Sequence, residues 1–165
     1  MTELIVIDVD GTLTDGKIYY SDNNEEIKAF NIKDGLMIAS WNRLGKKSAI
    51  ITGRISSVVE RRAKELNITY VEQGIKEKNK KLEEICEKEG INLSNVAVIG
   101  DDMNDYSMMK LVNKTFAPLD ANAFIYDYVS TPLIKKGGDG AVAEMIERLL
   151  KEENLYEKFL ELWVK

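Results

Sequence analysis

Short apolar runs recur along the chain: "LIVI" at 4–7, "SAII" at 48–51, "ITYV" at 68–71 and "VAVI" at 96–99, then "KTFA" at 114–117 and "YVS" at 128–130. Nearly continuous apolar stretches of this length predict strands buried on both faces. Between most of them lie segments, near 34–45, 55–66, 77–89, 103–112 and 121–127, with apolar residues at helical spacing. Leu36, Ile38 and Ala39 form one such stripe, and Val58, Val59, Ala63 and Leu66 another. Strands alternating with helices predict an α/β fold, a Rossmann-like parallel sheet covered by helices on both faces.

One segment breaks the alternation. In "KIYYSDNNEEIKAF", residues 17–30, two β-rich stretches flank a polar turn, which predicts a β-hairpin. Its Ile18, Tyr19, Tyr20, Ile27 and Phe30 need cover, so the hairpin is expected to act as a lid or an oligomer contact. After "GGDGAV", residues 141–164 read as a helical tail whose "LYEKFLELW" carries an aromatic and leucine face. There is no internal repeat and no linker-like stretch. Residues 1–165 are therefore expected to form one domain, with 17–30 as a flap and 141–164 as the tail.

Charge narrows the partners. Lys and Arg number 23 against 28 Asp and Glu, a formal charge of −5, which argues against a nucleic-acid or anionic-membrane partner. No apolar run approaches the ~18 residues of a membrane span, and the N-terminus lacks a signal-peptide pattern. Cys86 stands alone and cannot form an internal disulfide. A cytoplasmic location is expected. Histidine is absent, which removes Ser-His and Cys-His catalysis, histidine zinc sites and imidazole acid–base chemistry. Chemistry here must run on carboxylates, lysine, hydroxyls and hard, oxygen-liganded metals.

Those groups fall in a telling place. In an open parallel sheet, sites form at the carboxyl ends of the strands. The first exit, "IVIDVDGTLTDG", supplies Asp8, Asp10, Gly11 and Thr12; the second, "SAIITGR", supplies Thr52, Gly53 and Arg54. The third, "VEQGIKEK", brings Lys76 and Lys78 to a helix start, and the fourth, "VAVIGDDMND", brings Asp101, Asp102 and Asp105. Each signal alone is common in turns and helix caps. Their order, one after each strand, points to Mg²⁺-dependent phosphoryl transfer. Asp8 is the candidate nucleophile, able to form an acyl-phosphate. Asp10, two residues on, can protonate the leaving oxygen and later activate water. Asp8, the main-chain carbonyl of Asp10 and the Asp101 carboxylate could hold the metal, while lysine and threonine stabilise the phosphoryl charge.

At these residues the chain resembles the haloacid dehalogenase superfamily of phosphatases, whose motifs run D-x-D-G-T, Thr or Ser, Lys, and G-D-D/x-x-x-D. The resemblance implies catalytic roles for Asp8, Asp10, Thr52 and Lys78, metal ligation by Asp8, Asp10 and Asp101, and supporting roles for Asp102 and Asp105. It selects Lys78 over Lys76, because Gln73 to Lys78 fits its Q-G-x-x-x-K stretch. "DVDGTLTDGKIYY", "EEIKAFNIKDG", "IITGR", "ERRAKEL" and "GGDGAV" further resemble the capless subgroup acting on phosphorylated acidic sugars, most nearly 3-deoxy-D-manno-octulosonate 8-phosphate. That implies no cap domain, and a homotetramer in which neighbouring subunits close each site. It also implies substrate contacts from Asn31, Ile32, Lys33, Asp34, Gly35, Arg54 and Arg62. Lys33, Ala39 and Ala143 stand where the octulosonate enzymes carry arginine. A sister group acting on nine-carbon sialic-type 9-phosphates shares the scaffold. A phospho-accepting signalling domain would use similar residues, but with its acidic pair and phosphorylated aspartate on different strands.

Overall fold

The computed structural model describes residues 1–164. Its strands are β1 (Leu4–Ile7), β2 (Tyr19–Tyr20), β3 (Glu26–Ile27), β4 (Lys47–Ile51), β5 (Tyr70–Glu72), β6 (Val96–Ile99), β7 (Lys114–Ala117) and β8 (Thr131–Pro132). Its helices are α1 (Ile32–Arg43), α2 (Ser57–Glu65), α3 (Lys78–Glu89), α4 (Tyr106–Met109), α5 (Ala141–Glu152) and α6 (Tyr156–Leu160). Six strands pair in the order β5-β4-β1-β6-β7-β8, every pairing parallel. β2 and β3 form a separate antiparallel ribbon. What lies between β1 and α1 is the catalytic-loop candidate and this ribbon, with no inserted cap.

Side-chain alternation along each strand feeds two cores. Ile5 and Ile7 of β1, Ile50 of β4 and Ile99 of β6 pack with residues of α1, α2, α5 and α6. Leu4, Val6, Ile51 and Val98 face the opposite side, with Leu82 and Ile85 of α3 and Met108 and Met109 of α4. Burial on both faces is why these strands read as unbroken apolar runs. Trp41 of α1 is fully buried, and its indole N–H donates to the Lys47 carbonyl at 2.8 Å, so its one polar atom is satisfied.

The chain runs from β1 outward to β4 and β5, then returns to β6 on the other side of β1. The carboxyl ends of β1 and β6 therefore flank a topological switch point, where open α/β sheets leave a crevice.

Three expected elements shift, each for a local reason. The third strand begins at Tyr70 rather than 68, because the Ile68 N–H still closes the end of α2 on the Ala63 carbonyl. The last strand is Thr131–Pro132 rather than 128–130. At 130 the ladder is replaced by side chains: Ser130 N–H donates to Thr115 Oγ1 at 2.8 Å, and Thr115 N–H to Ser130 Oγ at 3.0 Å. The tail breaks at Asn154, whose φ is +58°, and resumes as α6 at Tyr156. Beyond it Trp163 donates to Ser40 Oγ of α1 at 3.0 Å and lies under the Arg43 guanidinium.

At the amino end of the sheet, Glu153 gathers three distant segments. Its Oε1 accepts from the backbone and hydroxyl of Thr2, both at 2.6 Å, and from Lys114 at 2.7 Å, while Lys46 lies 3.5 Å from Oε2. Burial works against its charge, but the hydrogen bonds from Lys114 and Thr2 prevail and hold it at about 2, below its ordinary 4.5. A carboxylate with a depressed folded pKa stabilises the fold above the unfolded value and loses that contribution as pH falls. Stability should therefore rise between pH 2 and 4.5 in the unmodified chain, with a smaller rise in Glu153→Gln; melting curves against pH check this. Equal slopes would remove Glu153 from the account.

Candidate active site

Asp8 follows β1 directly, and its N–H continues the sheet by donating to the Ile99 carbonyl of β6 at 3.1 Å. The residue is only 4% exposed. Lys78 opens α3 and is also buried, at 1%, where it donates to Asp8 Oδ1 at 2.6 Å and to Asp105 Oδ1 at 2.7 Å. Lys76 is exposed, so the structure separates the two lysines that spacing alone left equivalent. Asp105, fully buried, spends its second oxygen on the N–H groups of Asp101 and Asp102, at 2.9 and 3.2 Å. It therefore shapes the β6 loop and orients Lys78. Asp102 is exposed and caps the 103–105 turn by accepting from Met103 N–H.

Oxygen atoms of Asp8, Asp101 and Asp105 come within 4.8 Å of one another. Burial, then the Asp105 charge, raises the Asp8 pKa well above the carboxylate range, with Lys78 opposing. Burial and the same neighbour push Asp101 up to about 6, against a hydrogen bond from Thr12, whose hydroxyl donates to Asp101 Oδ1 at 2.9 Å. Burial opposes the Lys78 charge, but Asp8 and Asp105 outweigh it, and its pKa lies above the ordinary lysine value. Three crowded carboxylates thus face one ammonium. This donor set, hard oxygen short of positive charge, suits a divalent cation such as Mg²⁺. Asp8 and Asp101 would supply carboxylates, and Asp10 its main-chain carbonyl; Asp105 has both oxygens engaged.

Thr52 sits buried where β4 ends, with its N–H on the Glu72 carbonyl and its own carbonyl accepting from Ile75. Gly53 lies near Asn104 of the β6 loop, so the second and fourth strand exits meet. Asp10 is partly exposed, and its carboxylate pairs with Lys28, a residue the sequence did not single out. Lys28 lies just past β3, with its side chain fully buried. A lysine in a polar hairpin reads as a solvated charge, and no spacing rule links it to Asp10. Arg54 is exposed and reaches the hairpin, with its Nη2 3.2 Å from the Tyr20 hydroxyl and 3.5 Å from Glu26 Oε2.

The expected substrate contacts divide. Asp34 is fully buried and accepts from Ala143 N–H at 2.8 Å, so it caps α5 instead of facing a ligand. Burial, countered by N–H groups of this first turn, raises its pKa to about 6. Gly35 is buried against Arg62, where a Cβ would lie 2.3 Å from Nη2. Arg62 pairs with Glu65 and stacks over Phe30, none of these groups belonging to the carboxylate cluster. Asn31 caps α1 by accepting from Lys33 N–H. Ile32 and Lys33 remain exposed, and Asn31, Lys33 and Ala143 border a cleft of about 340 Å³ with Lys135, Asp139 and Glu144.

Glycines fix the loop that carries Asp8 and Asp10. Gly11 has a φ of +96°, and a Cβ there would meet Asp101 Oδ2 at 2.1 Å. On the other side, a Cβ on Gly137 would fall 1.9 Å from the Gly11 carbonyl oxygen, and Gly138 N–H donates to the Thr12 carbonyl. The "GGDG" turn is thus pressed on the backbone that carries Asp8 and Asp10. Gly137→Ala should shift that loop and lower turnover by about 10²-fold, the scale of an ångström's misplacement. Phosphate release compared with an unchanged far-ultraviolet spectrum checks this; normal turnover would mean the turn does not set the loop.

Residues 72–146 match the family of haloacid dehalogenase-like hydrolases. The chain is 41% identical over 150 residues to the 3-deoxy-D-manno-octulosonate 8-phosphate phosphatase of Escherichia coli K12, covering 89% of this chain and 78% of that one. A crystal structure of the Moraxella catarrhalis 3-deoxy-D-manno-octulosonate 8-phosphate phosphatase, in complex with magnesium, phosphate and KDO, superposes with a TM-score of 0.95. The two share 37% identity over 98% of this chain and 93% of the other. The corresponding enzyme of Yersinia pestis gives 0.92 at 35% identity, covering 94% and 84%. With such similarity along nearly its whole length, the chain belongs to the haloacid dehalogenase-like hydrolases, in the family that includes the 3-deoxy-D-manno-octulosonate 8-phosphate phosphatases.

Proposed function

We propose that the chain is a Mg²⁺-dependent phosphatase that hydrolyses 3-deoxy-D-manno-octulosonate 8-phosphate to the free sugar acid and phosphate. One observation carries the chemistry. A buried carboxylate at the switch point, Asp8, is held through one oxygen by Lys78, and a second acid two residues on, Asp10, has a separate lysine. The similarity to enzymes named for this substrate supports the choice of sugar.

In the first step an Asp8 oxygen attacks phosphorus, the ester P–O bond breaks, and the Asp10 carboxyl gives its proton to the departing alkoxide. In the second, Asp10, now a carboxylate, takes a proton from water as the water oxygen attacks phosphorus, and the Asp8–phosphorus bond breaks. Lys78 and Thr52 stabilise charge on the phosphoryl oxygens. A divalent cation, when bound, adds further neutralisation and relieves the repulsion among the carboxylates. Arg54, exposed beside the hairpin, is positioned to meet an anionic group of the sugar, which guanidinium binds through two parallel hydrogen bonds.

Exposed Tyr19, Tyr20 and Ile27 on the hairpin support the homotetramer, since apolar side chains gathered on one projecting ribbon gain from cover. Light scattering tests it, and a fully active monomer would defeat it. Among the described residues no helix is long and apolar enough to cross a membrane, in keeping with a cytoplasmic small-molecule enzyme.

A second reading, a nine-carbon sialic-type 9-phosphate, is favoured by one feature: Lys33 and Ala143, both departures from the octulosonate pattern, border the same cleft. Two guanidinium groups are missing there, and Lys33 and Lys135 are the cations that remain. Initial rates of phosphate release, with and without Mg²⁺, on the eight-carbon, nine-carbon and simple sugar phosphates decide. The highest kcat/KM is expected for the eight-carbon acid. Preference for the nine-carbon acid would keep the mechanism and change the substrate. A stable phosphorylated Asp8 without turnover would make the chain a phospho-accepting domain.

A further inference from the structure

Lys28 stands out among the hairpin residues. Around it Tyr19, Tyr20, Glu25, Ile27 and Ala29 are exposed, yet Lys28 is buried. A hairpin lysine can leave its ammonium in water at no cost, whereas burying it requires compensating partners. Its partners are Asp10, through Oδ1, and Glu26, whose Oε1 lies 3.5 Å away. Glu26 in turn faces Arg54 through its other oxygen, at 3.5 Å. The nucleophile side has its own ammonium in Lys78, so Lys28 is not needed to neutralise Asp8.

We infer that Lys28 is a positioning residue for Asp10: by holding Oδ1 it turns Oδ2 toward the ester oxygen, making the hairpin part of the proton-transfer apparatus. This rests on the reading of Asp10 as proton donor. The two lysines divide the work. Lys78 arrives from α3 to orient the attacking carboxylate, and Lys28 arrives from the hairpin to orient the donating one. The Asp10 side chain retains 20% exposure in a loop with a short polar side chain, and a single fixed oxygen is enough to restrict its remaining torsion. Glu26 keeps the lysine in place and ties it to Arg54, so the substrate-facing arginine and the acid lie on one chain of ion pairs, Arg54–Glu26–Lys28–Asp10.

The test compares two leaving groups. An alkyl phosphate such as the sugar-acid 8-phosphate needs a proton on its departing oxygen, while p-nitrophenyl phosphate releases a stable phenolate and needs none. kcat/KM reports the first chemical step alone, so the later hydrolysis of the acyl-phosphate does not confuse the comparison. Lys28→Met should lower kcat/KM by about 10²-fold on the alkyl ester, within the range of general acid catalysis, and by only about a few-fold on the aryl ester. KM should change little on either, and Lys28→Arg should recover most of the alkyl rate. Lys28→Gln, which keeps a donor without the charge, serves if the methionine variant does not fold. Its alkyl loss should lie between those of the other two. Asp10→Asn separates the two ideas. If it loses the alkyl reaction selectively while the Lys28 variants lose both substrates equally, or neither, the positioning role is overturned and the donor reading stands. If Asp10→Asn shows no selectivity, the donor reading falls first.

Discussion

Asp8→Asn is expected to abolish turnover, by a factor on the order of 10⁴ or more, while the melting temperature stays level or rises. The amide keeps the shape of the carboxylate and an oxygen that can accept from Lys78, so packing at the switch point persists. What it loses is the electron pair that attacks phosphorus. It also loses a charge that the fold holds at a cost, since burial and the Asp105 charge already disfavour ionised Asp8. A site crowded for function is one where neutralising a member stabilises the chain. Phosphate release and thermal melting of the same preparation check both halves. Substantial remaining turnover would remove Asp8 from the nucleophile's role, and a large drop in melting temperature would mean that its charge is structural.

Lys78→Met is expected to damage both activity and stability. Lys78 is the ammonium between Asp8 and Asp105, and removing one partner of a buried ion pair costs about 3–5 kcal/mol because the other charge is left uncompensated. Turnover should fall through lost stabilisation of the phosphoryl oxygens, typically a further 10²–10³-fold for a preorganised donor. Adding Asp105→Asn should return much of the stability, since the amide oxygen can still accept from the Asp101 and Asp102 N–H groups while the repulsion disappears. It should return none of the turnover. Denaturant melts of the two singles and the double form the cycle. Strict additivity would mean that Lys78 and Asp105 do not act together.

Much of this architecture can be read from the chain because its signals are local. Buried strands announce themselves as apolar runs, and the rule that sites gather at strand carboxyl ends brings Asp8, Thr52, Lys78 and Asp101 to one edge without any coordinates. What escapes is what depends on long-range register. Lys28 reaches Asp10 because the two-residue pairing of Tyr19 with Ile27 and Tyr20 with Glu26 sets which hairpin side chains turn inward, and a polar turn does not encode that choice. Asp34 is expected as a ligand contact by resemblance, as one of the stretch from Asn31 to Gly35, and nothing in the neighbouring residues marks it as buried. Its real partner, the first turn of α5, lies more than a hundred residues away in sequence. Glu153 is similarly silent, one acidic residue at the end of an amphipathic helix until Thr2, Lys46 and Lys114 close around it. Gly137 is an intermediate case. The glycine pair is visible as a turn, but its reason, contact with the Gly11 carbonyl, is not.

The docking of the tail has an optical consequence. The chain contains two tryptophans, and their surroundings differ sharply: Trp41 is sealed in the core, while Trp163 is 48% exposed at the end of the tail and is joined to α1 by its hydrogen bond to Ser40. In a Trp41→Phe background the remaining indole becomes an intrinsic fluorophore for the carboxyl-terminal segment. Its emission maximum and its quenching by acrylamide would then follow attachment and release of that segment in real time, with no dye added and no change to the strand exits where the chemistry sits.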